Sequence, residues 1–412
     1  MMKNYEYLIQ AIDERACLDF LAQMVRFKSY CNTPGETELS RFMADQMDAI
    51  GLSVELQHVE AARYNAVGRL KGSGGGKSLL FNGHTDTNPT TEGWTVDPWG
   101  GIVDEHFIYG IGVSNMKAGD AAYYCAVKTL TDNAVKLKGD VILTYVVGEL
   151  QGGGVGSVKA IEEGLRADYF INAEPTDLQA LTLHAGAFNF VIELTGITRH
   201  VSKREEAVDA IAAACALIPR INSITFSGAE TDEHRSVNRA NVGVVRGSLS
   251  PEFHDWRPPQ IADFARLVGT ARYAPSQNEE SVLADFQNLL IQLETEFPGL
   301  RAQVFKEEDI ENRPTMLPFE VPHDSRIVRA VNEAYQTVRG QPQPTGPTKP
   351  PCFFGTDAAH FLHKAGMEGI VCGPGGRYNT MPDERVDVAD YLDMIRIYIL
   401  AILNICEPAD LY

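Results

Sequence analysis

Apolar runs of strand length, bounded by glycine or polar residues and separated by helical segments, fill both ends of this 412-residue chain. Lys77 to Phe81, Val141 to Val147 and Tyr169 to Ala173 have the uniform apolarity of strands covered on both faces. Ser53 to Val59 reads as a further strand, and Thr37 to Ile50 (ended by Gly51) and Met116 to Leu130 as helices. Such alternation admits few folds, chiefly a mostly parallel sheet with helices on both faces. The rhythm then changes. Phe188 to Leu194, Asn241 to Arg246 and Asp263 to Tyr273 suit another sheet, with Glu205 to Leu217 and Ser281 to Phe297 as its helices. Past the polar stretch Lys306 to Pro314 the alternation resumes, through Ser325 to Gly340 and Asp357 to Val371, and closes with Asp390 to Ile405. The expected fold is α/β: a discontinuous, mostly parallel α/β/α domain at 1–186 and 307–412, with an α+β domain inserted at 187–306.

Composition narrows the function. Hydrophobic content of 44% and charged content of 22% are those of a folded globular protein. A net charge of -19 argues against nucleic acid as a partner, since phosphates need a basic face. The first twenty residues lack a basic-then-apolar leader pattern. The longest apolar stretch, Ala210 to Ile218, falls short of the roughly 20 residues of a membrane span, so no membrane partner is expected. Cysteines 17, 31, 125, 215, 352, 372 and 406 are odd in number and form no CxxC pair. That favours reduced thiols, mostly small buried hydrophobes, and a cytoplasmic location.

Four segments carry chemistry. In LLFNGHTDT (79–87) an apolar run leads into His84, a candidate metal ligand, with Asp86 placed to accept its other ring proton. Taken alone, this pair also reads as a loop histidine with a capping aspartate. GIGVSNMKAGDAA (110–122) puts Ser114 and Asn115 at the expected N-cap of a helix. YVVGELQGGG (145–154) and FINAEPTDL (170–178) each run from a strand into an acid, Glu149 and Glu174. Glu149 is a candidate general base. Three strands of one sheet ending in His or Glu point to a shared crevice at their carboxyl ends.

The order of GHTDT, GIGVSNMKAG, GELQGG, AEPT and GPGGRYNTMPDERV resembles the dinuclear metallohydrolases that include acetylornithine deacetylase, succinyl-diaminopimelate desuccinylase and glutamate carboxypeptidase. The resemblance runs from about residue 15 to 405 and takes in LHAGAFNFVIELTGITRH, NVGVVRG and IADFARLVGTAR of the inserted segment. It implies a catalytic metal-binding domain, an inserted lid and dimerisation domain, and a homodimer or higher homo-oligomer. It implies His84 and Glu174 as ligands of a first metal and Asp86 as the acid orienting His84. Glu149 would activate water, and His200 would reach a substrate, often across a dimer interface.

Departures from the family pattern are confined to the second metal. The bridging aspartate is Asn115, the second of the paired glutamates is Leu150, and the late histidine is Thr380. Two dications about 3.5 Å apart repel by roughly 20 kcal/mol at an effective dielectric of about 20, and carboxylates must offset that. An amide, a leucine and a threonine cannot. The expectation is one divalent ion, Mn, Zn or Co, on His84, Glu174 and the Asn115 side-chain oxygen, with Tyr378 a further possible ligand. Arg377 and Arg272 are candidates for gripping an anionic substrate, although packing roles fit all three residues. The activity expected is C–N hydrolysis of a small carboxylate-bearing substrate by a metal-activated water, on an activated carbon such as a ring amine of the 5-nitroanthranilate type. The alternatives are a conventional N-acyl amino acid deacylase or dipeptidase, and a catalytically silent binding protein.

Overall fold

The computed structural model describes residues 6–151, 153–254, 259–307, 314–349 and 354–409. The chain forms two compact units: residues 1–182 with 320–350 and 356–412, and residues 183–319 with 351–355. They part at 182/183 and 319/320 rather than at 186/187 and 306/307, because the stretch before 319 stays with the second unit. Ala187, for instance, donates its N–H to the carbonyl of Met316 at 2.8 Å.

The first unit is built on eight strands: β1 Ser53–Glu60, β2 Arg63–Leu70, β3 Leu79–His84, β4 Val141–Val146, β5 Tyr169–Asn172, β6 Ala180–Leu181, β7 Thr345–Gly346 and β8 Glu368–Val371. Their order is β1-β2-β4-β3-β5-β8-β6-β7. The central run β4-β3-β5-β8 is parallel, while β1, β2 and the β8–β6 contact are antiparallel, so the sheet is mixed. Strands β3 and β4 are buried at every position, as their uniform apolarity requires. β3 starts two residues later than its sequence suggests. Lys77 and Ser78 are tied instead to Asp168, which receives Lys77 Nζ at 2.7 Å and the Ser78 N–H at 2.8 Å.

Helices α1 Glu14–Val25, α2 Pro34–Ala49, α3 Ala118–Asp132, α4 Val155–Glu162, α5 Arg326–Arg339, α6 Ala358–Ala365 and α7 Val388–Cys406 belong to this unit. In α2 the buried Leu39, Met43 and Met47 recur at four-residue spacing, and Gly51 in the left-handed region follows the helix end. α3 begins at Ala118, not Met116, and neither Ser114 nor Asn115 caps it. Residues 113–117 form a wider turn in which Asn115 is non-helical (φ -121°, ψ 92°). No helix among the described residues is long and apolar enough to cross a membrane.

The second unit is an antiparallel sheet in the order Arg239–Ser248, Phe264–Tyr273, Gly186–Thr195, Arg301–Lys306. Helices Ala210–Asn222 and Glu279–Glu296 share its core, which gathers Phe190, Leu217, Phe286 and Leu290. The first of these helices starts at Ala210 rather than Glu205. Asp209 caps it, taking the N–H groups of Ile211 and Ala212 at 2.9 and 3.1 Å, and Val201–Glu206 forms a separate short turn.

Candidate metal centre

Register decides where the site lies. His84 at the end of β3 pairs with Val146 of β4, and Asn82 pairs with Asn172 of β5. The three strands therefore stop side by side, and Glu149 and Glu174 follow within the next few residues of β4 and β5. In an open α/β sheet this carboxyl edge is where ligands are placed. Position 83 must be glycine, since a Cβ there would overlap the Asp120 carboxylate.

His84 is fully buried, with Nδ1 2.9 Å from the main-chain carbonyl of Asp86. A carbonyl only accepts, so the proton sits on Nδ1 and Nε2 faces the cluster. Nε2 is 3.0 Å from Asn115 Oδ1, 3.6 Å from Glu174 Oε1 and 3.9 Å from Glu149 Oε2. This corrects the expectation for Asp86, whose carboxylate stands 3.6 Å from Nδ1 while its backbone holds the imidazole. The carboxylate receives the N–H groups of Gly148 at 2.9 Å, Glu149 at 3.2 Å and Leu150 at 3.0 Å. Asp86 thus fixes the turn that carries Glu149.

Electrostatics ask for a cation here. Burial pushes the Glu149 carboxyl well above the usual range, and Glu174 beside it pushes further, against His84. Glu174 rises to about 7, again chiefly through burial. Burial should depress His84, yet Glu174, Asp86, Glu149 and Asp120 outweigh it and lift the imidazole to about 10. Ligating atoms of His84, Glu149 and Glu174 all lie within 4.8 Å of one another. One imidazole nitrogen and two carboxylates, with an amide oxygen adjoining, fit a single divalent ion of the zinc, manganese or cobalt type.

The positions where the family pattern has second-ion ligands are different. Leu150 is half-buried, and Thr380 is exposed, its hydroxyl 3.0 Å from Asn379 Oδ1. Glu384 approaches from the same loop, but its Oε1 receives the N–H groups of Ser114 and Asn115 at 2.8 and 3.1 Å. Burial raises Glu384 to about 7 in spite of those bonds. Sequence reasoning missed this residue, though NTMPDERV displays it. It also missed Asp357, buried with Ser157 Oγ at 2.7 Å, whose charge bears on both Glu149 and Glu174. The stretch FFGTDAAHF offered Asp357 as the only acid, and an acid there was the available signal.

The remaining candidates have the following surroundings. Arg377 meets Asp177 at 3.1 Å, Asp390 at 2.6 Å and Asp387 at 3.6 Å, so its charge is committed to three carboxylates. Tyr378 packs edge-on against Phe107, with the Arg385 guanidinium 3.8 Å from its ring centre. These contacts suit a packing role. His200 and Arg272 belong to the second unit. His200 is exposed and takes the Ser202 N–H on Nδ1 at 3.2 Å, while Arg272 lies on Phe264–Tyr273 opposite Arg239.

Residues 80–404 match the model of peptidase family M20/M25/M40. The chain belongs to this family. It is similar to N-formyl-4-amino-5-aminomethyl-2-methylpyrimidine deformylase of Bacillus subtilis (strain 168), 27% identical over 91% of this chain and 90% of that one. Succinyl-diaminopimelate desuccinylase of Helicobacter hepaticus is 25% identical over 78% of each chain. In fold it resembles aminopeptidase PepT of Bacillus cereus, with a TM-score of 0.75 at 18% identity over 96% of this chain and 100% of that one. Membership in family M20/M25/M40 makes the protein a metal-dependent hydrolase of C–N bonds, as the resemblance implied.

Proposed function

We propose that this M20/M25/M40 protein hydrolyses an activated C–N bond in a small molecule with one divalent ion, held by His84, Glu174 and Asn115 Oδ1. The observation that carries the reading is the contrast between a buried His84–Glu149–Glu174 cluster and the leucine and threonine, Leu150 and Thr380, at two positions where the family pattern has second-ion ligands. A bound divalent ion supplies Lewis acidity toward water and the substrate oxygen. Glu149 then takes the proton from water at its carboxylate and passes it to the leaving nitrogen. Asp86 keeps Glu149 in place through the 148–150 turn.

With one electrophile instead of two, the substrate must bring its own activation. A formamide does so, having no carbon substituent to hinder or feed the carbonyl, and the similar Bacillus subtilis protein is named for removing a formyl group. A ring amine of the 5-nitroanthranilate type is the second such substrate. A homodimer through the second unit is supported by its edge strand Arg239–Ser248, where Val244 and Val245 are each 50% exposed. The six described cysteines are all unpaired, which supports a reducing, cytoplasmic setting.

The test is metal analysis after stripping and reloading with manganese, zinc or cobalt, joined to a panel of formamides, activated arylamines, N-acetyl amino acids and dipeptides. One ion per chain and preference for the activated substrates are expected. Glu149→Gln should keep the ion and lose about a hundredfold to ten-thousandfold in turnover. Two tightly held ions with a dipeptide preference would favour a conventional deacylase or peptidase. No ion and no turnover would favour a binding protein.

A further inference from the structure

Asn115 and Thr380, two of the positions where the family pattern has second-ion ligands, line a cavity of about 300 Å³ in the first unit. Its walls include Pro89, Trp94, Ile111, Met381 and Thr380, together with Asn115 itself. Glu384 is the sole charged residue among the described lining residues, and its Oε1 is already occupied by the Ser114 and Asn115 N–H groups. A second dication would meet mainly apolar carbon there, with the neutral side chains of Asn88, Asn115, Thr91 and Thr380 and a Glu384 carboxylate that backbone N–H groups already hold, a poor exchange for its hydration shell.

We propose that this cavity binds a neutral, planar aromatic or heteroaromatic ring of the substrate, in the space a second ion would otherwise need. The inference rests on the one-ion reading above and names its substrate class. Size agrees: a dry cavity of about 150 Å³ holds one benzene, so this one takes a single ring with small substituents. Chemistry agrees as well. Trp94 and Met381 offer an aromatic face and a polarisable sulfur, both favourable partners for a ring.

Polar groups define the ring further. Asn115 turns its oxygen to His84, leaving its amide N–H donors as the group to be satisfied on the other side. That amide donor, with no free charge beside it, selects a ring bearing acceptors, such as a ring nitrogen, a nitro group or a carbonyl. Because Asn115 both lines the cavity and stands 3.0 Å from His84 Nε2, a ring in the cavity brings its substituent to the metal centre. The scissile C–N bond therefore lies on the ring or one atom from it.

Calorimetric titration of the metal-loaded full chain with pyrimidine and with nitrobenzene, against glutamate as the aliphatic alternative, tests this. Two variants accompany it: Trp94→Ala, which removes the aromatic wall, and Thr91→Trp, which fills the cavity from an exposed position. The rings should bind more tightly than glutamate. Each variant should weaken them by about tenfold or more while metal content stays at the wild-type level. Ring binding that is no tighter than glutamate, or that both variants leave unchanged, overturns the proposal. So does displacement of the rings by a second equivalent of zinc. If ring binding fails while one ion and Glu149-dependent turnover persist, only this inference falls; if ring binding persists without turnover, the fault lies in the hydrolase reading.

Discussion

At the scale of single residues, Asp86 shows how far a motif can mislead about its own parts. An acid two positions beyond a histidine invites the reading that its carboxylate holds the imidazole. In the folded chain a backbone carbonyl does that, and the carboxylate collects three N–H groups from the turn bearing Glu149. Asp86→Asn would set an amide N–H against those donors and leave one of them unpaired in a buried place. We expect a loss of about 1–3 kcal/mol in stability. Turnover should drop with little change in KM, because Glu149 is displaced while the substrate pocket is not. Chemical denaturation and steady-state kinetics check both; a variant as stable and as active as the parent would sink the positioning role. The identities of His84, Glu149 and Glu174 were legible in sequence because each follows a buried strand. Glu384 was not, because its task is to hold backbone N–H groups, and no side-chain pattern announces that.

Among the elements, the site is a product of strand alignment, and its tolerances are those of β3. Gly83→Ala should cost about 1–3 kcal/mol, since the buried Asp120 carboxylate cannot move aside without losing its bond from Tyr123 at 3.0 Å. Thermal unfolding of the metal-free variant measures this apart from any effect on the ion. At the other end of β3, Asp168 ties Lys77 and Ser78 to the start of β5. Burial raises its carboxyl, but the Lys77 ammonium and the two Ser78 donors outweigh that and hold it below the usual range. A carboxyl depressed in the folded state stabilises above its unfolded value, about 3.9, and that share is lost as pH falls through the lower folded value. Asp168 is partly exposed, so the share is below about 1 kcal/mol. Stability of Asp168→Asn should accordingly fall less steeply than that of the parent below about pH 4 in a denaturant series. A parallel fall in both would refute the assignment.

For the molecule as a whole, the metal centre couples function to stability. An ion that binds only the folded chain, at a hundredfold excess over its dissociation constant, adds about 2.7 kcal/mol. Melting temperature should rise on reloading with manganese, zinc or cobalt, with a titration that saturates at one ion per chain. His84→Ala should abolish the rise. A shift that persists in that variant would place the stabilising ion elsewhere.

The residues alone determined the α/β class, the interruption by a second sheet and the set of strands that end in ligating side chains. All of these depend on periodicity and composition within short windows. They also set an amide, a leucine and a threonine at Asn115, Leu150 and Thr380, three positions where the family pattern has second-ion ligands, since that is a matter of identity alone. Tertiary structure decided the rest: which atom of Asp86 holds His84, that Arg377 is spent on Asp177, Asp387 and Asp390, and that the space beside Asn115 is an apolar-walled cavity. Several of these bring together residues far apart in the chain, as Arg377 with Asp177, and Asp86 with the 148–150 turn. Their partners are chosen by how strands register and helices pack, which no local pattern encodes.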